Sequence, residues 1–159
     1  MPASPEEDPT GRRTPAKGVL PTLTGATVLW CTVCAERRGT WCAQAGVMCL
    51  LQELWSDPAQ GWLVGDFLLM PNHLHFFATP RAGSGIEVEH WTAFWKDRFA
   101  KRRAATDWRW QRGLFHHRLR SEREYQDKAV YMAHNPVRAG LVRDPTEWPW
   151  LGRIHPLQW

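Results

Sequence analysis

The stretch Trp62–Thr79, WLVGDFLLMPNHLHFFAT, decides how this chain folds. Trp62 to Met70 and His73 to Thr79 are extended apolar runs, and Pro71-Asn72 between them is a turn signal, so a pair of antiparallel strands is expected. Side chains alternate faces along a strand, which sends His73 and His75 to one side and Leu74 to the other. Two imidazoles then converge without help from a loop. Paired nitrogens at this spacing can bind a divalent metal ion and leave positions for a third ligand and a phosphate oxygen. The competing account is two partly exposed strand histidines, since so short a motif often arises by chance.

Working outward, Thr27 to Val33 (TVLWCTV) reads as a first strand, rich in β-branched and aromatic residues. Trp41 to Trp55 carries Trp41, Ala45, Met48 and Trp55 at helical spacing, with Val47, Leu50, Leu51 and Leu54 widening the face, and Asp57-Pro58 ends it. A second helix is expected from about Ile86 to Arg103, with Ile86, Trp91, Phe94, Trp95 and Phe99 on one broad face. Ser121-Glu122-Arg123-Glu124 matches a capping box and starts a third helix. That helix is expected to stop near Asn135, because a proline disfavours helical geometry in the residue before it. The resulting fold class is α+β, with helices packed on a mainly antiparallel sheet. Residues 1–21 are polar and proline-containing and read as a flexible arm, leaving residues 22–159 as one domain.

At 159 residues and 43% hydrophobic content the chain can bury a core of its own. It contains no apolar run of the roughly 18 residues that a membrane span needs, and its first residues do not resemble a signal sequence, so no membrane partner and a cytoplasmic location are expected. Cys31, Cys34, Cys42 and Cys49 lack the second matched pair of a zinc knuckle and are expected to be reduced core thiols. The net charge of +4 conceals an asymmetry: Lys96 to Arg143 holds thirteen Lys or Arg against five Asp or Glu. Interleaved with Trp95, Phe99, Trp108, Trp110 and Phe115, this basic half has the ingredients for gripping phosphates and stacking bases. A solvated basic face over an aromatic core has the same composition.

The third helix distinguishes the two tyrosines. At roughly 100° per residue, Ala129 and Met132 fall near Tyr125 and form a core stripe, while Tyr131 lies about 120° away. Lys128 and Asn135 share the Tyr131 side, Asn135 one turn beyond it. A metal ion held by His73, His75 and the Asn135 oxygen would polarise a phosphate for attack by the Tyr131 phenol, with Lys128 a candidate for stabilising the phenolate or leaving group.

Met70-Pro71-Asn72-His73-Leu74-His75, Trp110-Gln111-Arg112-Gly113-Leu114-Phe115, Tyr131 through Asn135-Pro136-Val137-Arg138-Ala139-Gly140-Leu141-Val142, and Trp148-Pro149-Trp150 occur in the order seen in the REP-associated tyrosine transposases. These belong to the single-tyrosine HUH transposases, and the resemblance covers about residues 25–159. It implies a ferredoxin-like or RNA-recognition-like sheet, with His73 and His75 as metal ligands, Asn135 as the polar third ligand and Tyr131 as the nucleophile. It also implies magnesium or manganese as the metal. The substrate it implies is single-stranded DNA beside an imperfect palindromic hairpin, cut so that the tyrosine is joined to a 5′-phosphate and a 3′-hydroxyl is released. The protein would work as a monomer or homodimer. Where many relatives have Asp-His, this chain has His116-His117; His117 and Arg120 do fit the pattern. Two other functions use the same residues: a metal-dependent nuclease in which water attacks, and a DNA-binding regulator that keeps the fold without chemistry.

Overall fold

The computed structural model describes residues 27–157 and 159; the arm expected over residues 1–21 lies outside them. Five strands form one antiparallel sheet: β1 (Leu29–Cys34), β2 (Trp62–Met70), β3 (His73–Pro80), β4 (Phe115–Arg118) and β5 (Leu151–Arg153), in the order β4-β1-β3-β2-β5. With α1 (Ala45–Trp55) between β1 and β2 and α2 (Val88–Arg102) between β3 and β4, the first four strands make the βαββαβ arrangement of a ferredoxin-like sheet. The α+β architecture is the one the sequence implied. A third helix, α3 (Glu122–Arg138), follows.

The sheet has two apolar faces. Leu29, Cys31 and Val33 of β1, Phe67 and Leu69 of β2, and Leu74, Phe76 and Ala78 of β3 pack with α1 and α2 in the larger core. Val28, Trp30, Leu68, Met70, Phe77 and Leu119 form a smaller cluster that receives Met132, Tyr125 and Ala129 from α3. Between Val64 and Phe67 the register of β2 against β3 shifts, so Gly65-Asp66 stands opposite the single residue Phe77. This bulge lets Val64 and Phe67, three apart, both enter the larger core.

Several boundaries differ from the sequence expectations. Helix α1 starts at Ala45, not Trp41; Trp41 and Cys42 are buried from the preceding loop, and Ala45 is exposed. On α2 the buried positions are Val88, Trp91, Thr92, Trp95 and Phe99, whereas Phe94 faces outward beneath Arg98, whose Cζ lies 4.3 Å from its ring centre. Ile86 precedes the helix and is also exposed. Of the aromatics in the basic half, Trp95, Phe99 and Trp108 are buried and Trp110 is half-buried, so they build the core; Phe115 is 70% exposed. Cys31, Cys34, Cys42 and Cys49 are free thiols, but Cys49 is exposed on α1 and not in the core.

Helix α3 does not stop at Asn135. It runs through Pro136 to Arg138. Pro136 lies in the final turn and has no N–H to donate to the Met132 carbonyl; the helix continues past that lost bond and closes in a Schellman motif. Gly140 adopts φ +72°, its N–H donates to Val137 O, and the Leu141 N–H donates to Pro136 O. The other end is capped as expected: Ser121 Oγ accepts from the Glu124 N–H at 3.1 Å. The Glu124 carboxylate accepts from Arg120 N at 2.6 Å, one residue ahead of the usual box partner.

Candidate metal and nucleophile site

The site lies on the α3 side of the sheet. His73 directly follows the Pro71-Asn72 turn, which is pinned from outside: the Asn72 carbonyl accepts from Ala35 N at 2.9 Å and the Pro71 carbonyl from Cys42 N at 3.0 Å. His73 and His75 share one face of β3, with Leu74 buried on the other. Each ring is oriented through Nδ1, His73 by Asn72 Oδ1 at 2.6 Å and His75 by Thr32 Oγ1 at 2.8 Å. An amide oxygen only accepts, so His73 holds its proton on Nδ1 and its lone pair on Nε2. Trp30 stacks on the His75 ring, 4.7 Å between centroids at 22°.

The two Nε2 atoms stand 3.2 Å apart. Two imidazole lone pairs at that distance repel unless a proton or a cation lies between them. An extra proton is disfavoured, because burial, helped by His73, Lys128 and Arg138, pushes His75 down to about 3 and burial also lowers His73. The neutral pair is relieved either by His75 Nε2–H donating to His73 Nε2, when the Thr32 hydroxyl donates to His75 Nδ1, or by a cation, when Thr32 accepts. The separation suits a cation, because adjacent nitrogens at ~2.1 Å from an octahedral or tetrahedral ion lie about 3.0–3.4 Å apart. Among the described residues no group of three His, Cys, Asp or Glu side chains is placed to hold a metal, so a third protein donor has to be of another type.

Asn135, an amide, is of that type and lies on the same cavity wall as the two histidines. Trp30, Met70, His73, His75, Lys128, Tyr131, Asn135, Arg138 and Ala139 line one cavity of about 500 Å³. The four residues singled out from sequence, His73, His75, Tyr131 and Asn135, are therefore brought together, and so is Lys128. Tyr125 is not; it packs edge-on against Phe77 at 4.7 Å, as its place on the core stripe implied. The phenol ring of Tyr131 is half-exposed and flanked by cations: Arg138 Cζ lies 3.7 Å from its centre and Lys128 Nζ 5.2 Å. Lys128 Nζ is also 5.6 Å from the Trp30 ring. Among the described residues no carboxylate lines the cavity, so the field of this lining favours an anion.

Sequence reasoning missed Trp30, Thr32, Asn72 and Arg138. Thr32 and Trp30 alternate with buried Cys31 on β1 and so had to share a face, but only the register, Thr32 opposite His75, shows which face that is. Of the His116-His117 pair, His117 stands opposite Trp30 in the β1–β4 ladder and thus on the site face, with its pKa lowered chiefly by burial. His116 lies 3.7 Å from Glu89 of α2, on the opposite face.

With this fold and geometry, the protein has a counterpart among solved structures. Its fold is similar to that of a REP-associated tyrosine transposase. That structure is of the transposase bound to a REP hairpin, and the likeness covers 86% of this chain and 81% of the transposase chain, with a TM-score of 0.65 and 19% sequence identity. No family model matches the sequence, and neither does any curated protein. The transposase likeness establishes the fold, in agreement with the motif resemblance. No helix among the described residues is long and apolar enough to cross a membrane.

The depressed histidines make an acid-side prediction. A folded-state pKa for His75 near 3, against an ordinary 6.5, means that the unfolded chain binds the extra proton first. Stability is therefore full above about 6.5 and falls as pH drops towards about 3. Urea midpoints at pH 7 and pH 4.5 should separate more for the wild type than for His75→Asn; equal separations would reject the assignment.

Proposed function

We propose that this chain is a DNA-nicking and strand-transfer enzyme acting on single-stranded DNA beside a hairpin, with Tyr131 as nucleophile and a divalent metal held by His73, His75 and Asn135. The observation that carries the proposal is the pair of Nε2 atoms 3.2 Å apart in a cavity that also holds the Tyr131 ring and the Asn135 amide, with cations and no carboxylate around them. The transposase fold, known from a protein solved with a REP hairpin, supports the same substrate class.

The residues divide the work as follows. Asn72 holds His73 by Nδ1, and Thr32, with its hydroxyl accepting, would hold His75 by Nδ1, so that both Nε2 lone pairs are open to a metal. When bound, magnesium or manganese would supply Lewis-acid polarisation of a phosphate oxygen. The Tyr131 phenol gives up its proton and its oxygen attacks phosphorus, the bond to the 3′-oxygen breaks, that oxygen takes up one proton in turn so that none is gained or lost overall, and the 5′-phosphate stays on the tyrosine. Lys128 and Arg138 offset the negative charge that gathers on the phenolate and the phosphate. The same step run backwards from another 3′-hydroxyl rejoins the strand, so bond energy is conserved in the covalent intermediate.

The test is to trap that intermediate. Wild-type protein, Mn²⁺ or Mg²⁺ and a hairpin-flanked single strand should give a protein–DNA adduct that survives denaturation and maps to Tyr131 by mass spectrometry. Nicking with no adduct would instead favour attack by water. Binding without nicking under any metal would favour a regulator. Either result removes the tyrosine mechanism. In DNA flanking the gene, palindromic repeats are the expected source of the hairpin.

A further inference from the structure

Arg138 was singled out by neither metal-ligand spacing nor helical pattern, yet it makes more contacts around the nucleophile than any residue chosen on those grounds. Its guanidinium lies over the Tyr131 ring at 3.7 Å. From Nη2 it donates to the Tyr131 carbonyl at 2.5 Å and also to the Asn135 amide oxygen. These contacts bridge a separation of seven positions along α3, from Tyr131 to Arg138, across the proline at 136. They exist only because the helix continues past Asn135 for one more turn.

A guanidinium has five N–H donors in a rigid plane. Nη2 is taken up by the two acceptors on the helix, which fixes the plane against the phenol. Nη1 and Nε carry the remaining three N–H groups, and the side chain lines the cavity that contains His73 and His75. We infer that Arg138 receives the phosphate that Tyr131 attacks, donating to it from Nη1 or Nε while Nη2 holds Tyr131 and Asn135 in register. This rests on the proposed nicking reaction and adds to it the group that seats the phosphate. The ligand is a single phosphodiester of single-stranded DNA: Nη1 and Nε each offer a charged donor to a phosphate oxygen, and a neutral or positively charged ligand would meet Lys128 and Arg138 with no carboxylate among the described lining residues to offset them.

The experiment couples a change in the protein to a change in the DNA. A neutral methylphosphonate is placed at one position at a time along a hairpin-bearing single strand, and binding to the full-length protein is measured in EDTA. For the wild type one position should stand out, weakening binding about tenfold or more, as expected for loss of a charged hydrogen bond. That position should be the one joined to Tyr131 in the trapped adduct. With Arg138→Gln the same substitution should have no larger effect than its neighbours, while Arg138→Lys, which keeps the charge, should retain part of the sensitivity. Arg138 is exposed, so neither variant disturbs the core. If Arg138→Gln loses as much as the wild type at that position, the inference is wrong. The two readings fail separately. Absence of any adduct counts against the nicking reaction, whereas an adduct together with sensitivity that persists in Arg138→Gln counts against Arg138 alone.

Discussion

Tyr131→Phe removes one oxygen and should abolish the covalent protein–DNA adduct, lowering strand cleavage by about 10⁴-fold or more, the scale on which loss of a nucleophile is felt. Single-strand binding should change little, because the ring that Arg138 and Lys128 flank is retained. Folding should also be unaffected, since Tyr131 is 50% exposed and Met132 and Pro136 carry the burial on α3. The informative partner is Tyr125→Phe. Tyr125 packs on Phe77 through its ring, and a phenylalanine preserves that contact, so its adduct yield should match the wild type. If Tyr131→Phe cleaved at the normal rate, or if Tyr125→Phe proved the inactive variant, the assignment of the nucleophile would be wrong. Quantifying adduct on a denaturing gel against DNA binding by anisotropy separates chemistry from affinity.

His75→Ala should have the next largest effect. His75 lies deeper than His73, with its ring against Trp30 and its Nδ1 on Thr32, so alanine removes a ligand that two neighbours had already fixed. Mn²⁺ affinity, read as free ion by electron paramagnetic resonance, should fall by about 100-fold or more, since an outer partner of a ligand alone is worth about 10–100-fold. Adduct formation at limiting metal should fall with it. Thr32→Val, which removes only the hydroxyl, should give a smaller loss in the same assay. Unchanged Mn²⁺ binding in His75→Ala would mean that the imidazole pair is structural.

Much of this was legible in sequence because the deciding features are local. The alternation that sets His73 and His75 on one face is a property of any strand, and the angular separation of Tyr125 from Tyr131 is a property of any helix; both are seen in the structure. What failed depends on partners distant along the chain. The residues Phe115–Arg118 become a strand only by pairing with β1, and Leu151–Arg153 only by pairing with β2. Neither stretch has the length or apolar alternation to declare itself. Pro136 was read as a terminator, and the structure places it inside the last turn, where it forgoes one bond to Met132 and the Gly140 closure comes later. Arg138 went unnoticed for the same reason, because a helix ending at Asn135 leaves it no geometry. The eleven tryptophans could not be apportioned beforehand: Trp55 and Trp95 are sealed between α1, α2 and the sheet, whereas Trp30 lies on the site face against His75, in the cluster that Trp148 also packs on.

The unequal sizes of the two cores have a kinetic consequence. The imidazoles are borne by β3, a central strand bonded on both sides and backed by the large tryptophan-rich core, whereas Tyr131 rides on a helix attached through a handful of apolar contacts. Opening free energy tracks local buried contact, so α3 belongs to the part of the molecule that unfolds locally while the sheet stays closed. Amide hydrogen exchange should therefore release the α3 protons well before those of β1 and β3. The protein would keep His73 and His75 in place while the element that carries Tyr131 and Asn135 detaches and returns, so that, if Tyr131 forms the proposed bond to DNA, a strand end could leave the cavity and be exchanged without dismantling the fold.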